Sequence, residues 1–263
     1  MIVGICLIKN EDIFISQVIK NILDFCDKIL ILDNFSTDNT MDIITDLAKK
    51  YNHIIVDRIK DVRYAISYVQ EYIGKNIWLF SVDGDEIYDP NGLKILRSKM
   101  LSGRYNKYWQ LRGYFFHVCW LNEKKTKAHG WFAPPSKEVT KLKNMALLKD
   151  WKPDGVTALF HPKPIFAMED ILLTKLFYKK KSWDKCILRC FHTRFLKRSS
   201  IEKDKIDAVK GNPRYYGIRL NPSDKFAGKL IKNIEKIGYI KGYRQKYRVG
   251  GKHSLDARVF FEG

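Results

Sequence analysis

The sequence has no long apolar run. A membrane-spanning helix needs about 18 or more consecutive apolar residues, and no such stretch is present. The apolar run Ile2 to Ile8 is short and leads directly into charged residues, so it does not resemble a signal peptide. We therefore expect a cytoplasmic protein without a transmembrane segment.

Cysteine is scarce and irregularly spaced. The five cysteines are odd in number and include no C-x-x-C pair, which argues against a disulfide framework and against a zinc ribbon. Cys6 and Cys26 lie in apolar runs and are expected to be small core residues. A reducing compartment fits this pattern best.

Glycine-rich nucleotide-binding loops are also missing. A dinucleotide-binding fold needs G-x-G-x-x-G after its first strand, and a P-loop needs G-x-x-x-x-G-K-[S/T]. The corresponding turn here reads Ile8-Lys9-Asn10-Glu11 and contains no glycine. The same absence argues against a nucleotidyltransferase, so any nucleotide must be bound by another geometry.

Acidic residues are few compared with basic ones. The chain has 29 Asp and Glu against 48 Lys and Arg, a formal net charge of +19. Such an excess attracts phosphates, nucleic acid or anionic membranes without choosing among them. The alternative is a lysine-rich composition with solvated side chains. The 45% hydrophobic content is enough for a sizeable core.

Apolar runs and helical patterns alternate in the first 86 residues. Four runs predict buried strands: Ile2–Ile8, Ile29–Leu32, Ile54–Val56 and Ile77–Val82. Three helical patterns separate them: Ile15 to Cys26 after Asn10 as N-cap, a helix capped by Ser36 to Thr40, and Val62 to Ile73. The alternation predicts an α/β fold with a mostly parallel central sheet flanked by helices.

The remainder of the chain is less regular. We expect a helix over Asn91–Met100, a strand over Tyr108–Val118, a loop with short strands over Lys124–Lys143, and a strand over Val156–Phe160. From Ile171 onward the chain is basic and is predicted to be helical.

Ligands of open α/β sheets bind beyond the carboxyl ends of the strands. Three clusters occupy such positions: Lys9-Asn10-Glu11, Asp33-Asn34 and Asp83 to Glu86. An acid at the position of Asp33 bonds ribose hydroxyls in dinucleotide-binding folds. The alternative for Asp33 is a helix-capping role.

The segment Asp83-Gly84-Asp85-Glu86 has three carboxylates within four residues. Like charges this close repel each other and are unfavourable to desolvate. Mg²⁺ or Mn²⁺ relieves both effects and takes one or two carboxylates plus substrate phosphates. Gly84 lets the backbone approach a ligand closely. A solvated turn is the alternative, and the position after the fourth strand favours a metal site.

Five segments together resemble glycosyltransferase family 2 in order and spacing. They are Cys6–Glu11, Phe25–Asp27, Leu32–Thr40, Arg63 and Trp78–Glu86. The resemblance covers roughly the first third of the chain. It implies a GT-A fold, a UDP-, GDP- or dTDP-sugar as donor, and inversion at the anomeric carbon.

The resemblance also implies residue roles. It places Asp33 on the base or ribose, Asp83 on the ribose or metal, and Asp85 directly on the metal. Glu86 either supports the metal ligands from behind as a carboxylate that does not touch the metal, or contacts the acceptor. The other residues that it places near the nucleotide and its diphosphate are Lys9, Asn10, Glu11, Asn34, Ser36, Gly84 and Arg63. The alternative for Arg63 is a surface position on a helix.

A later segment, Phe191 to Ser200 followed by Lys205 and Gly211, resembles a His…Arg-Ser…Lys…Gly stretch of some family members. It implies that His192 completes the metal shell as a neutral imidazole. His161 is the alternative metal ligand. The cations that could neutralise the leaving diphosphate are Arg194, Lys197 and Arg198.

Inversion by direct displacement needs a carboxylate that accepts the proton of the acceptor hydroxyl. Asp154, between Pro153 and Gly155 at the start of a predicted strand, is the first candidate, and a plain turn residue is its alternative. The other carboxylates on the acceptor side are Glu138, Asp150, Glu169 and Asp170. Aromatic residues of this half could stack on sugars, but core packing is the favoured explanation.

We expect residues 1–200 to form a GT-A catalytic domain, with a nucleotide-binding half (1–90) and an acceptor half (91–200). Residues 201–263 are predicted to be a basic C-terminal extension packing on it. The expected acceptor is a glycan or a lipid-linked molecule, with peripheral contact to an anionic membrane as an option and no nucleic-acid partner. The alternative function is an inert GT-A scaffold that binds nucleic acid or a membrane surface.

Overall fold

A computed structural model describes most of the chain. The described residues are 1–132, 138–152, 163–177, 182–202 and 252–262. No helix in these ranges has the length and apolar character that crossing a bilayer requires.

The N-terminal half of the central sheet consists of four parallel strands. They are β1 (Ile2–Ile8), β2 (Lys28–Asp33), β3 (Ile54–Arg58) and β4 (Trp78–Asp83). Their spatial order is β4-β1-β2-β3. Apolar side chains are buried on both faces of this sheet, which explains why the strands read as continuous apolar runs. All four predicted strands are confirmed.

Helices follow the first three strands. The first two are α1 (Ile15–Ile22) and α2 (Thr40–Lys50). The third predicted helix is instead two short 3-10 segments, Val62–Tyr68 and Gln70–Tyr72. Its β-branched and aromatic residues favour an α-helix weakly, although its apolar side chains do reach the core.

The predicted N-cap at Asn10 is wrong. Helix α1 begins at Ile15, and Asn10 adopts a left-handed conformation with φ 55°. The Asn10 side chain accepts a 2.7 Å hydrogen bond from the backbone N–H of Thr37. It therefore ties the loop after β1 to the loop after β2. The Ser36–Thr40 cluster does precede α2, but the N-cap residue Asn39 makes no side-chain capping bond, and Asp38 instead accepts a hydrogen bond from the N–H of Thr40.

The second half of the sheet is mixed. Its elements are β5 (Glu86–Tyr88), α3 (Pro90–Leu101), β6 (Tyr108–Leu121), β7 (Lys127–Phe132) and β8 (Glu138–Asn144). Strand β8 lies between β4 and β6 and is antiparallel to both. The helix predicted near Asn91–Met100 and the strand predicted over Tyr108–Val118 are both confirmed.

A β-bulge interrupts the pairing of β8 with β6. Leu142 pairs with Leu111, but the next pair joins Thr140 to Arg112. Lys141 is therefore the extra residue of the bulge. Bulges re-aim a side chain locally, and here the Lys141 ammonium is directed to carboxylates near the end of β4.

The prediction that the chain is helical from Ile171 onward is wrong for most of its described part. Leu172–Leu176 (β11) and Arg189–His192 (β12) are strands parallel to β6. Strand β12 also pairs with β5, so its backbone is bonded on both edges. The basic residues around these short apolar segments obscure their strand character in the sequence.

The remaining described elements complete the molecule. They are β9 (Leu148–Lys152), β10 (Lys163–Phe166), β13 (His253–Asp256) and α4 (Arg258–Phe261). Strand β13 pairs with β7 at the edge of the central sheet, and β9 and β10 form a separate two-stranded sheet. Outside the described residues lie the predicted strand Val156–Phe160 and Asp154, His161, Lys205 and Gly211.

Candidate active site

The loops after β1, β2 and β4 meet at one edge of the sheet, as the strand-end rule predicts. The backbone N–H of Asn10 donates to Ser36 Oγ at 2.8 Å, and that of Glu11 donates to Thr40 Oγ1 at 2.8 Å. Gly84, in the loop after β4, faces Glu11: a Cβ on it would lie 2.6 Å from Glu11 Cγ. The close approach expected at Gly84 is therefore made to the protein's own Glu11.

Asp33 organises the loop that follows it. Its fully buried carboxylate accepts hydrogen bonds from the N–H and hydroxyl of Ser36 and lies 3.3 Å from Arg58 Nε. The Asn34 amide donates to the carbonyls of Ile59 and Lys60 at the end of β3. These contacts give both residues a structural role, and their contact with a nucleotide stays a prediction.

Asp85 is a buried carboxylate that faces basic side chains. Its Oδ2 accepts a hydrogen bond from Arg198 and lies 3.2 Å from His192 Nε2. Its carbonyl accepts bonds from the N–H and hydroxyl of Thr193, at 2.8 and 3.2 Å. Burial alone would raise the pKa of the Asp85 carboxyl, but the charges of Arg198 and His192, with that of Arg194, hold it well below its usual range.

The strand register explains how His192 reaches Asp85 from far along the chain. His192 is the last residue of β12 and pairs with Glu86 of β5 on one side and His117 of β6 on the other. The next residue, Thr193, bonds the Asp85 backbone. His192 thus contacts the acidic cluster directly, and its role as a metal ligand stays a prediction.

Asp83 and Glu86 face a different cation. Lys141 Nζ lies 2.7 Å from Glu86 Oε1 and 3.7 Å from Asp83 Oδ2. Glu86 Oε2 accepts from the Asp83 N–H and from the Tyr88 hydroxyl, each at 3.1 Å, and so closes the Asp83–Glu86 turn. Burial, with the nearby Asp83 and Asp85 charges, raises the pKa of the Glu86 carboxyl to about 8, against the opposing effect of Lys141.

Sequence reasoning missed Lys141, Thr193 and His117. His117 is buried with its ring centroid 4.9 Å from that of His192. Its burial and the charges of His192 and Arg194 lower its pKa well below the ordinary value, so the ring stays neutral. No motif marks Lys141 or His117, which strand pairing brings to the site, and Thr193 lies in the later resembling segment without having been assigned a role.

The other predicted site residues differ in their contacts and in their exposure. Lys197 Nζ donates to the Ser200 carbonyl, and Lys9 Nζ reaches Asn34 Oδ1 at 3.4 Å. Among the candidate bases, Asp150, Glu169 and Asp170 are exposed. The side chains of Arg63 and Glu138 lie outside the described residues, as do Asp154 and His161 entirely.

Asp85 and His192 are the described residues that could contribute to a cation site, and at present they are joined directly by a hydrogen bond. Asp85 Oδ2 and His192 Nε2, which lie 3.2 Å apart, are an oxygen and an imidazole nitrogen of the kinds that bind divalent cations in proteins. Asp83 is partly exposed at the same strand end. In the described ranges no group of three His, Cys, Asp or Glu side chains could hold a metal by itself. Mg²⁺ is typically held by one or two carboxylates and leaves its other positions to phosphates and water; here Asp85 would be such a carboxylate, with the His192 imidazole beside it.

Sequence comparison identifies the family. The model described as glycosyl transferase family 2 matches residues 5–163. The chain therefore belongs to glycosyl transferase family 2, and the mixed α/β sheet flanked by helices is consistent with the GT-A fold. A search of curated proteins finds no match.

Among solved structures, the chain is similar to glucosyl-3-phosphoglycerate synthase from Mycobacterium tuberculosis. One structure is a complex with phosphoglyceric acid, and another contains Mn²⁺, uridine-diphosphate-glucose and phosphoglyceric acid. Each match has 18% identity and a TM-score of 0.33, and covers 44% of this chain and 44% of the other. The similarity thus spans less than half of either protein.

Proposed function

We propose that the protein is a metal-dependent, inverting glycosyltransferase of the GT-A type. The observation that carries this proposal is the 3.2 Å pair of Asp85 Oδ2 and His192 Nε2 at the carboxyl end of β4. This pair lies where α/β sheets bind ligands, and Arg198 supplies positive charge beside it. Membership of family 2 supports the same class of reaction.

Asp85 and His192 would hold Mn²⁺ or Mg²⁺, and Asp83, which is not grouped with them in the described structure, would contact the ribose or the cation once the donor binds. When bound, such a cation neutralises the charge that develops on a departing diphosphate. Arg194 and Arg198 add fixed positive charge in the same place. The loops that carry Lys9 to Glu11, Asp33, Asn34 and Ser36, together with Gly84 and Arg63, form the nucleotide side of the proposed site.

The proton transfer belongs to the acceptor side. As the acceptor oxygen bonds to the anomeric carbon, the bond to the diphosphate breaks and the hydroxyl proton passes to a carboxylate. Asp154 is the proposed base, because it precedes a predicted strand in the acceptor half.

The donor is proposed to be a UDP-, GDP- or dTDP-sugar, and the acceptor a glycan or a lipid-linked molecule. In this proposal residues 1–200 form the catalytic domain, and the basic residues beyond 200 give it peripheral contact with an anionic membrane on the cytoplasmic side. The net charge of +19 supports an anionic substrate or surface.

A thermal-shift panel of nucleotide-sugars with Mn²⁺ tests the function. A ligand present at 100 times its Kd stabilises the folded state by about 2.7 kcal/mol, so the correct donor should raise the Tm in the presence of Mn²⁺. EDTA and Asp85→Asn should each remove this rise, whereas Asp46→Asn, at an exposed salt bridge on α2, should keep it. Sugar transfer that persists with chelator would contradict metal dependence.

A further inference from the structure

Phe35 is an aromatic residue held in an unfavourable backbone conformation just after β2. Its φ is 54°, which lies in the left-handed region, where a bulky side chain is crowded by the backbone. Asn10 lies in the same region with φ 55°, but asparagine tolerates it far better. Such a conformation persists only where its surroundings impose it, and residues of this kind cluster at ligand sites.

The two residues that flank Phe35 fix its position. On one side, the Asn34 amide donates a 2.7 Å hydrogen bond to the Ile59 carbonyl. On the other side, the Ser36 N–H donates to the buried Asp33 carboxylate at 3.1 Å. The loop is therefore ordered before any ligand arrives, and a ligand that binds to the Phe35 ring does not have to order it.

The Phe35 ring faces solvent and is backed by a guanidinium. Phe35 is 43% exposed and belongs to neither apolar cluster of the described residues. One face of the ring lies against Arg58, whose Cζ is 5.2 Å from the ring centroid. Arg58 Nε is in turn 3.3 Å from Asp33 Oδ2, which holds the guanidinium in place. An exposed aromatic residue alone needs no explanation, but exposure combined with an unfavourable φ brings no benefit to folding.

We propose that the Phe35 ring, backed by Arg58, is the platform on which the base of the nucleotide stacks. The loop after β2 lies at the edge where α/β sheets bind ligands. Every nucleobase has a planar π-face that stacks on an aromatic ring, whatever its hydrogen-bonding groups. Phe35 therefore supplies affinity that is common to all bases, and the choice among bases is left to other residues. The inference rests on the proposed function and adds the residue that holds the base.

Calorimetric titrations with UDP, GDP and dTDP, each with and without Mn²⁺, test the platform. Loss of one base–aromatic stack weakens binding roughly 5- to 150-fold, so Phe35→Ala should weaken every nucleotide that the wild-type protein binds by at least about fivefold. Phe35→Trp should keep the affinity. Unchanged affinity in Phe35→Ala overturns the inference. Leu101→Ala, which removes an exposed apolar side chain at the end of α3, should leave nucleotide affinity unchanged.

Phe35→Gly separates the loss of the ring from any damage to the loop. Glycine adopts a φ of 54° without strain, so Phe35→Gly should have a higher Tm than Phe35→Ala and yet bind nucleotide equally weakly. If Phe35→Gly binds nucleotide as tightly as the wild-type protein, the platform is refuted alone. If the wild-type protein binds none of the three nucleotides, the proposed function and the platform fail together.

Discussion

Two lysines of β8 are buried two residues apart and have opposite electrostatic surroundings. Lys141 is paired with Glu86, and although burial lowers its pKa, the Glu86 and Asp83 charges raise it overall. Lys143 is fully buried, and its Nζ has no hydrogen-bond partner in the described part of the chain. Burial and the Lys141 charge lower the pKa of Lys143 from 10.5 to about 7.

Lys143→Met should therefore change how stability depends on pH. Between pH 7 and 10.5 the unfolded chain binds a proton at Lys143 that the folded protein does not bind. The wild-type free energy of unfolding should then gain up to about 1.4 kcal/mol per pH unit from this group as pH rises. Urea unfolding should show Lys143→Met more stable at pH 7, with an advantage that shrinks toward pH 10.

Lys141→Met, two residues away on the same strand, is the comparison for Lys143→Met. It removes the ammonium that pairs with Glu86 and Asp83, so the Glu86 carboxyl should be protonated at neutral pH, and the lost hydrogen bond should lower the free energy of unfolding by about 1–3 kcal/mol. If the free energies of unfolding of the wild-type protein and Lys143→Met change in parallel with pH, Lys143 has an ordinary pKa in the folded state and the prediction is wrong.

The residues of the site differ in how far the sequence reveals them. Asp85 is evident from the Asp-Gly-Asp motif, and His192 is suggested by a resemblance in a later segment. Lys141 is not predictable, because it reaches Glu86 through a bulge that has no sequence signature. Asp33 and Asn34 are found by position, but their bonds within the loop depend on Ser36 and β3.

At the scale of elements, the loop between β4 and β5 leaves no room for a side chain at Gly84. Gly84→Ala should displace Glu11 and lower stability by about 1–3 kcal/mol, and it should also weaken Mn²⁺ binding, since Glu11 contacts Arg198 beside Asp85. Unfolding and Mn²⁺ titrations measure the two effects separately.

Gly92→Ala, in helix α3, is the control for Gly84→Ala. Its Cβ would lie 2.5 Å from the Ile187 carbonyl, away from the acidic cluster. It should destabilise the fold but leave Mn²⁺ affinity unchanged. Equal loss of metal affinity in the two variants would mean that the effect of Gly84→Ala comes from general destabilisation.

Strand β12 shows why elements of the second half are hard to predict. It has only four residues, Arg189–His192, in a basic stretch with no clear alternation. Pairing with β5 and β6 makes it a strand, and these partners are distant in sequence. The four strands of the first half were predictable because both of their faces are buried and their apolar runs are continuous.

At the scale of the whole molecule, the described end of the chain belongs to the core of the domain. Phe260 is fully buried, with its ring stacked 3.9 Å from that of Phe191. The Phe260 carbonyl accepts a 2.9 Å hydrogen bond from the Asn21 amide. This segment therefore links α1 to β12, the strand that carries His192.

Phe260→Ala should lower the free energy of unfolding by about 3–5 kcal/mol, because it leaves a cavity against Phe191. Phe261, which is only partly buried, provides the control, and Phe261→Ala should have a clearly smaller effect in the same urea titration. Equal losses would contradict the placement of this segment in the core.

The α/β class follows from the alternation of the first 86 residues, and the structure confirms it. The insertion of β8 between β4 and β6 was not predictable. The local sequence of a strand does not show which strands it will pair with or in which direction, and only this pairing distinguishes β8 from a parallel strand. This insertion also brings Lys141 to the acidic cluster. The same unpredicted strand pairing therefore determines both the order of the sheet and the position of Lys141.

In the proposed function, Asp85 and His192 bind one cation beside a nucleotide diphosphate. A crystal soaked with Mn²⁺ and a nucleotide-sugar, measured at a wavelength where manganese scatters anomalously, tests it directly. We expect an anomalous peak about 2.1 Å from both Asp85 Oδ2 and His192 Nε2. Bound nucleotide with no peak between these two atoms would contradict it.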